Sequence, residues 1–353
     1  MRVALAVLLV LAVIGGATAA VQATRAPDAY VIRRLVADRA GRAASADRAL
    51  VNAWGLAASP TGPWWTANEA RSSSTLYSGA GRKQLLDVQV AGGPTGVAFY
   101  GGTRLLVRAG KASDPARFVY ACEDGKLRAW TPTVPAGWST TAEVVVDDAG
   151  AGALFRGLTI AGDRVYATDF HNGRVDVFDG GWRRVDAPFR DPSIPSWYAP
   201  FGIQAVGDSI FVTYVYRAPV NGNDAPTGGY VDEFDRAGNL VARVAHLGPL
   251  NAPWGIAQAP AGFGRFGGDL LVGNFGDWRI NAFRRTSHGW AYVGALRDRQ
   301  GRPIVVNGLW GIAFGNGDLA GPKDDLFFAS GPHDWRGETE LGVHGLLGAV
   351  TGV

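Results

Sequence analysis

The sequence contains almost no sulfur. Its 353 residues include one cysteine, Cys122, and one methionine. A single cysteine excludes an intramolecular disulfide, and the chain has no Cys/His pattern of the kind that binds zinc. Cys122 lies in a strand-like run, residues 118–122, where we expect a small buried hydrophobic residue rather than a nucleophile. Stability must therefore come from packing.

The chain also lacks a strong charge of either sign. Its 34 Lys and Arg residues against 31 Asp and Glu residues give a formal net charge of +3. The arginines are scattered among acidic residues instead of forming a basic run or alternating with aromatic residues. This pattern does not favour nucleic acid as a partner.

Long apolar runs are missing after the N-terminus, so no transmembrane segment is expected in the mature chain. At the N-terminus, Arg2 precedes the apolar run 3–14, and the small residues 17–19 follow it. This order predicts a secretory signal peptide over residues 1–19, cleaved near Ala19, and a secreted or extracytoplasmic protein. An uncleaved membrane anchor is the alternative, although the run is shorter than the roughly 20 residues that span a bilayer. Residues 20–29 form a short segment after the predicted cleavage site.

No catalytic motif can be read from the sequence. Gly-x-Ser-x-Gly, His-Glu-x-x-His and the phosphate-binding loop are all absent. The glycine-rich run 262–268 precedes a strand rather than a helix, so it does not predict phosphate binding. Whether the chain is an enzyme therefore stays open at this point.

What the sequence does contain is glycine, 50 residues of it, and a repeat. A residue followed by Gly and an apolar pair recurs at intervals of roughly 40 to 60 residues, the range of propeller blades. The intervening segments alternate with period two and are interrupted by Gly, Asn and Asp, which favours strands over helices. The six repeats begin at Trp54, Thr95, Arg156, Phe201, Trp254 and Trp310. The sequence predicts an all-β protein, a single six-bladed β-propeller domain over residues 30–353.

A ring of blades must close, because an open ring leaves exposed strand edges. The strand-like run 30–36 lies before the first repeat and has no blade of its own. The last blade, which begins at Trp310, reaches the apolar run 346–350 and stops. We expect the N-terminal strand to complete the C-terminal blade as its outer strand.

Four stretches carry a resemblance to a known family. They are Asn-Ala-Trp-Gly-Leu-Ala (52–57), Ala-Thr-Asp-Phe-His-Asn-Gly-Arg-Val-Asp-Val-Phe-Asp (167–179), Gly-Pro-Leu-Asn-Ala-Pro-Trp-Gly-Ile-Ala (248–257) and Gly-Asp-Leu-Leu-Val-Gly-Asn-Phe-Gly-Asp (268–277). They resemble a family of exported bacterial NHL-like propeller proteins of uncharacterised function, and more remotely the gluconolactonase and regucalcin propellers. The resemblance implies the fold and export but no activity. Some members of the family carry a C-terminal sorting tail; without one, this chain is expected to be released.

Candidate site residues come from two sets of loops that share one face of a propeller. The loops that lead into the inner strands contribute Asn52 and Arg156, and the loops between second and third strands contribute further polar residues. Members of this second set are Asp169, His171, Asn274, His333 and Asp334. The predicted ligand-binding residues are Trp54, Arg156, His171, Phe201, Trp254 and Trp310. Packing of the aromatic residues and turn formation by the polar residues are the alternatives.

Oxygen atoms from several blades would suit a hard cation such as Ca²⁺, which takes six to eight oxygen ligands. The candidate ligands by repeat position are Asn52, Asp169 and Asn274. In gluconolactonase-like propellers, which the repeats resemble, a glutamate stands where this chain has Asn52. That difference weakens a catalytic interpretation.

Three functions remain open. The first is a non-catalytic binding module that captures a protein, peptide or glycan at a channel mouth, which the absence of a reaction centre favours. The others are a metal-dependent, lactonase-like hydrolase and a structural protein of the envelope or matrix. We expect a monomer.

Overall fold

We describe the protein from a computed structural model of residues 29–217, 224–332 and 343–353, with only the backbone described for residues 224–227. The predicted signal peptide and its cleavage site near Ala19 lie outside the described residues, as do the candidates His333 and Asp334. In the described ranges no helix has the length and hydrophobicity to span a membrane.

The described strands form six sheets around one axis. Before blade 1 come β1 (Tyr30–Ala37) and β2 (Ser45–Ala46). Blade 1 consists of β3 (Ala53–Ala58), β4 (Trp64–Asn68), β5 (Ser73–Tyr77) and β6 (Lys83–Gln89). Blade 2 consists of β7 (Pro94–Phe99), β10 (Phe118–Cys122), β11 (Lys126–Trp130) and β12 (Glu143–Asp147), with a hairpin of β8 (Leu106–Ala109) and β9 (Ala112–Pro115) after its inner strand.

Blades 3 to 6 repeat this order from the inner strand outward. Blade 3 consists of β13 (Phe155–Ala161), β14 (Arg164–Asp169), β15 (Arg174–Phe178) and β16 (Arg184–Val185). Blade 4 consists of β17 (Tyr198–Val206), β18 (Ser209–Arg217), β19 (Asp224–Asp235) and β20 (Leu240–His246). Blade 5 consists of β21 (Pro253–Gln258), β22 (Leu270–Asn274), β23 (Ile280–Thr286) and β24 (Gly289–Ala295). Blade 6 contains β25 (Leu309–Phe314), β26 (Leu326–Ser330) and β27 (Leu346–Gly352). Short 3₁₀ turns lie at Glu69–Arg71, Ala149–Ala151 and Gly264–Phe266.

The ring closes as the sequence predicts. β1 pairs antiparallel with β27, from Tyr30 opposite Gly352 to Ala37 opposite Leu346, and becomes the outer strand of blade 6. The inner strands contact one another in order around the axis, and β25 contacts β3 to complete the circle. The prediction of an all-β, six-bladed propeller closed by its N-terminal strand is therefore confirmed.

The glycine of each repeat allows the inner strands to approach closely. A Cβ atom on Gly202 would lie 2.0 Å from the carbonyl oxygen of Trp254 in the next blade. At the other five positions a Cβ atom would lie 2.5 to 2.9 Å from the backbone of the next inner strand: Gly55, Gly96, Gly157, Gly255 and Gly311. Because real Cβ atoms do not come so near to backbone, only glycine fits at this level of the ring.

The hydrophobic core is divided among the spaces between blades. Six clusters of buried side chains each join two neighbouring blades, so that every blade packs against both neighbours. Cys122 belongs to the cluster between blades 1 and 2 and is fully buried. Burial raises the pKa of its thiol to about 12, which keeps it protonated and confirms the prediction of a small buried residue.

Candidate functional site

A seventh cluster of buried side chains fills the axis at the end where the chain enters the inner strands, which we call the aromatic end. Trp54 and Phe275 both stack on Trp310, with ring centroids 3.5 and 4.0 Å from it. Trp254 and Phe201 meet the Trp310 ring edge-on, each at 5.9 Å. The structure thus brings the four predicted aromatic residues together, and they contact one another on the axis.

Arg156 joins this cluster from blade 3. Its guanidinium group pairs with Glu123 and lies 5.3 Å from the centroid of the Trp54 ring, and its carbonyl oxygen accepts a hydrogen bond of 3.0 Å from Trp254 Nε1. Arg156 Nε and Trp54 Nε1 are both buried hydrogen-bond donors, and neither has an acceptor among the described residues. Arg156 is therefore held by an ion pair and a cation–π contact inside an aromatic environment.

Asn52 stands beside the same cluster. Its backbone has a φ of 47°, a left-handed conformation that asparagine tolerates better than most residues. Its Nδ2 donates a 2.6 Å hydrogen bond to Glu69 Oε2, and its Oδ1 accepts one of 3.3 Å from Trp310 Nε1. The side chain thus links the loop before blade 1 to blade 6.

The other two candidate metal ligands make local contacts within their own blades. Asp169 accepts hydrogen bonds from the backbone nitrogens of Leu154 and Asn172, each at 3.2 Å, and from Asn172 Nδ2 at 2.6 Å. Asn274 Nδ2 donates to Pro249 O and to Asp277 Oδ1, both at 2.9 Å. These are the contacts of turn-forming residues.

A calcium ion does not fit this donor set as the side chains stand. Asn52 Oδ1 is already used by Trp310, the Asp169 carboxylate is satisfied by nearby donors, and among the described residues only the third candidate, Asn274, has an oxygen without a donor. Within the described ranges, no three His, Cys, Asp or Glu side chains are grouped closely enough to hold a metal ion.

His171 lies outside the aromatic cluster. It is exposed in the turn between β14 and β15, and its main-chain carbonyl accepts a hydrogen bond from the Arg217 guanidinium. This position is that of a turn residue, which was the alternative interpretation of the sequence. Ligand binding by this residue, as by the aromatic residues and Arg156, stays a prediction.

The opposite end of the axis holds a cavity of 520 Å³, which we call the axial cavity. Its walls are three residues near the end of the inner strand of every blade, together with Trp64 and the loop residues Ser59, Pro60 and Asn316. Five aliphatic side chains that lie just beyond the glycines line the cavity: Leu56, Val97, Leu158, Ile256 and Ile312. Ala98 and Ala313 are among the small residues that follow and leave the space open.

The axial cavity is neutral. Among the described residues, none that lines it carries an ionisable side chain, and the polar lining residues are Ser59, Thr159, Gln204, Gln258 and Asn316. Gln204 and Gln258 donate from Nε2 to the main-chain carbonyls of Ala205 and Gly268. In the described part of the chain no hydrogen bond is made to their Oε1 atoms, so these two oxygens are available as acceptors.

Sequence reasoning missed these residues. We count from the first residue of each repeat, such as Phe201 in blade 4. The third residue after it is Gln204 in blade 4, whereas four other blades have alanine there. The fourth residue after it is Gln258 in blade 5, the polar residue at that position. A polar residue on an inner strand at a position occupied elsewhere by small or apolar residues was the signal that could have found them.

Comparison with other proteins identifies relatives but no activity. No protein-family model matches the chain. Uncharacterized protein R648 of Acanthamoeba polyphaga mimivirus is 32% identical over 343 residues, which are 92% of this chain and 81% of R648. Uncharacterized protein L690 of the same virus is 31% identical over 306 residues, 82% of this chain and 80% of L690. Both relatives are viral, so they do not show the bacterial origin that the resemblance implied.

Solved structures with a similar fold are more distant. The PQQ-bound aldose sugar dehydrogenase from Streptomyces coelicolor has a TM-score of 0.52 and 15% identity, covering 92% of this chain and 99% of that one. Virginiamycin B lyase from Staphylococcus aureus has a TM-score of 0.50 and 13% identity, covering 92% and 100%. A gluconolactonase from Xanthomonas campestris has a TM-score of 0.44 and 16% identity, covering 66% and 81%. At these identities the likeness concerns the fold alone.

Proposed function

We propose a binding function for this chain, which belongs to the family of the mimivirus proteins R648 and L690. In this proposal the chain is a non-catalytic module that holds an uncharged ligand in the axial cavity. The ligand presents an apolar surface to the aliphatic side chains and hydrogen-bond donors to Gln204 and Gln258.

One observation carries the proposal: the axial cavity is open and lined by all six blades, yet no residue in the described ranges brings an ionisable side chain into its lining. A cavity of 520 Å³ lies within the range of small-molecule sites, about 300 to 1,000 Å³. General acid–base catalysis needs a titratable group near the reacting atoms, and the lining supplies none. A cation or anion would lose its hydration without gaining a charged partner.

Filling the cavity tests this proposal. Ala98→Trp and Ala313→Trp place a large side chain in the wall, and both positions are only partly buried. We expect each substitution to abolish binding of Nile red, an uncharged apolar dye, measured by its fluorescence. The same variants should lose the thermal stabilisation given by any uncharged ligand found in a screen.

Ala237→Trp is the matched control, because Ala237 lies in an exposed turn of blade 4. It should bind the dye as the unchanged protein does. Equal binding by the cavity-filled variants would exclude the axial cavity as the site. Stoichiometric metal in the purified protein, together with a melting temperature lowered by EDTA, would instead support the hydrolase alternative.

We also propose that the protein is exported and that its family includes exported bacterial members. Support comes from the N-terminal order of Arg2, the apolar run 3–14 and the small residues 17–19, and from the four sequence stretches quoted above. N-terminal sequencing of the protein from a culture supernatant checks the first point. A mature chain that begins near residue 20 is expected, and retention of Met1 in the cell fraction would contradict it.

A further inference from the structure

A second cavity, of 360 Å³, lies on blade 5 and shares no lining residue with the axial cavity. We call it the blade 5 groove. It is bounded by the loop that leads into β21, the turn before β23 and the strands β23 and β24. Its polar lining residues are Asn251, Asp277, Arg279, Asn281, Tyr292 and Arg297. Neither the repeat pattern nor the proposed function requires a cavity at this place.

An unsatisfied hydrogen-bond acceptor lines the groove. Asn251 Oδ1 is buried and has no donor in the part of the chain that the structure describes. The same is true of Asn274 Oδ1, and Asn274 is fully buried beneath the loop that contains Pro249. A buried acceptor without a donor costs about 1 to 3 kcal/mol. Because Asn251 lines the groove and Asn274 does not, it is the Asn251 oxygen that favours a ligand that donates hydrogen bonds.

The other polar groups are held in place by their own contacts. Asp277 Oδ1 accepts a 2.9 Å hydrogen bond from Asn274 Nδ2, and Asn281 Nδ2 donates one of 2.9 Å to Pro249 O. Arg297 Nη1 donates to Gly301 O at 2.7 Å. These contacts fix the walls of the groove before any ligand arrives, which lowers the entropic cost of binding.

The charges of the lining argue against an ionic ligand. Arg279 and Arg297 outnumber the single carboxylate Asp277, so an ammonium group or metal ion would meet a net positive wall. An anion would meet the unpartnered amide oxygen of Asn251. A neutral molecule that both donates and accepts hydrogen bonds satisfies every group.

Tyr292 adds an aromatic surface at the rim. Its side chain is 49% exposed, and its hydroxyl donates a long hydrogen bond of 3.4 Å to Asn281 Oδ1. An exposed tyrosine ring can stack on the apolar face of a sugar ring while its hydroxyl bonds a sugar hydroxyl. We infer that the blade 5 groove binds a neutral saccharide of one or two sugar units.

Saturation-transfer NMR on the purified full chain tests this inference. The probes are glucose, galactose, mannose, N-acetylglucosamine and the β1,4-linked disaccharides of glucose and of N-acetylglucosamine. At least one should show saturation transfer at millimolar concentration. Tyr292→Ala and Asn251→Ala should each weaken its binding about fivefold or more, the effect of losing one stacking or hydrogen-bond contact. Tyr292→Phe, which keeps the ring, should retain most of the affinity.

Trp197→Ala is the matched control, because Trp197 is 55% exposed and lies outside the groove. It should leave saccharide binding unchanged, and so should the cavity-filling Ala98→Trp. The inference is overturned if no member of the panel binds. Binding that survives both Tyr292→Ala and Asn251→Ala would also overturn it, as would binding lost in Ala98→Trp, which would assign the sugar to the axial cavity.

Discussion

At the scale of single residues, one glycine in each inner strand sets how closely the blades approach. The Cβ atom of an alanine at position 202 would lie 2.0 Å from the Trp254 carbonyl oxygen, and backbone of a neighbouring blade cannot move aside easily. We expect Gly202→Ala to lower the free energy of unfolding by about 3 kcal/mol, as overpacking of a core does. Urea denaturation followed by tryptophan fluorescence measures it.

Gly150→Ala is the control for this substitution. Gly150 lies in a 3₁₀ turn, its φ is not positive, and nothing lies within 4 Å of a Cβ atom placed there. The free energy of unfolding of the Gly150→Ala variant should differ from that of the unchanged protein by less than about 0.5 kcal/mol. Equal effects of the two substitutions would contradict the close approach of the inner strands.

A second residue-scale prediction concerns Asp232, which is fully buried in β19. Burial raises the pKa of its carboxyl to about 7; the Arg243 guanidinium opposes that shift, and Asp191 adds to it. The folded state therefore holds a proton that the unfolded chain releases near pH 4. The contribution of this carboxyl to the free energy of unfolding has its full value below about pH 4 and is lost as the pH rises to about 7.

Asp232→Asn should remove this dependence. The difference in unfolding free energy between pH 4 and pH 7 should shrink, relative to the unchanged protein, by up to about 4 kcal/mol. The pKa of the Asp191 carboxyl is lowered from its ordinary value, so any change of stability that this group causes lies at a lower pH, outside this window. Asp208→Asn is the control, since the Asp208 side chain is 98% exposed. A pH profile that is the same in Asp232→Asn and the unchanged protein would refute a protonated Asp232.

Some of these residues could be predicted from the sequence and others could not. The repeat marks each glycine, because it recurs at one position of a periodic pattern. The contact of Arg243 with both Asp232 and Asp191 joins an outer strand, a neighbouring strand and the loop before the blade. No local pattern connects these three residues, so only the packed structure shows that they contact one another.

At the scale of elements, β1 is the strand on which closure depends. Its Tyr30 is 1% exposed and donates a 3.0 Å hydrogen bond to the carbonyl oxygen of Phe263. The Tyr30 ring centroid lies 4.9 Å from that of Phe263 and 6.0 Å from that of Phe266. The strand thereby ties blade 6 to a loop of blade 5. The role of this strand could be predicted, because a strand without a blade and a blade without its outer strand complement each other.

Tyr30→Ala should cost about 3 to 5 kcal/mol of unfolding free energy, the usual loss for removing a buried aromatic side chain. Val31→Ala, on the other face of the same strand, should cost little, because Val31 is 42% exposed. Guanidinium denaturation of both variants compares the two faces directly. A Tyr30→Ala variant as stable as Val31→Ala would show that β1 does not hold blade 6.

At the scale of the whole molecule, the ring could be predicted but the open end of its axis could not. The repeat correctly indicated that Trp54, Trp254 and Trp310 converge. It did not indicate whether they leave space between them or stack, since that depends on ring orientations that only the closed circle sets. The axial cavity arises at the other end, where small residues such as Ala98 and Ala313 follow the aliphatic side chains.

The pairing of β1 with β27 also determines when the ring can close during synthesis of the chain. A ribosome makes Tyr30 before the six inner strands and Gly352 after them, so β1 has no partner until all the blades have been synthesised. Until then, one flank of blade 6 and the hydrogen-bonding edge of β1 stay uncovered in the nascent chain. Such an edge invites pairing with other chains. The free edge of β1 is therefore open to pairing with other chains until β27 has been made.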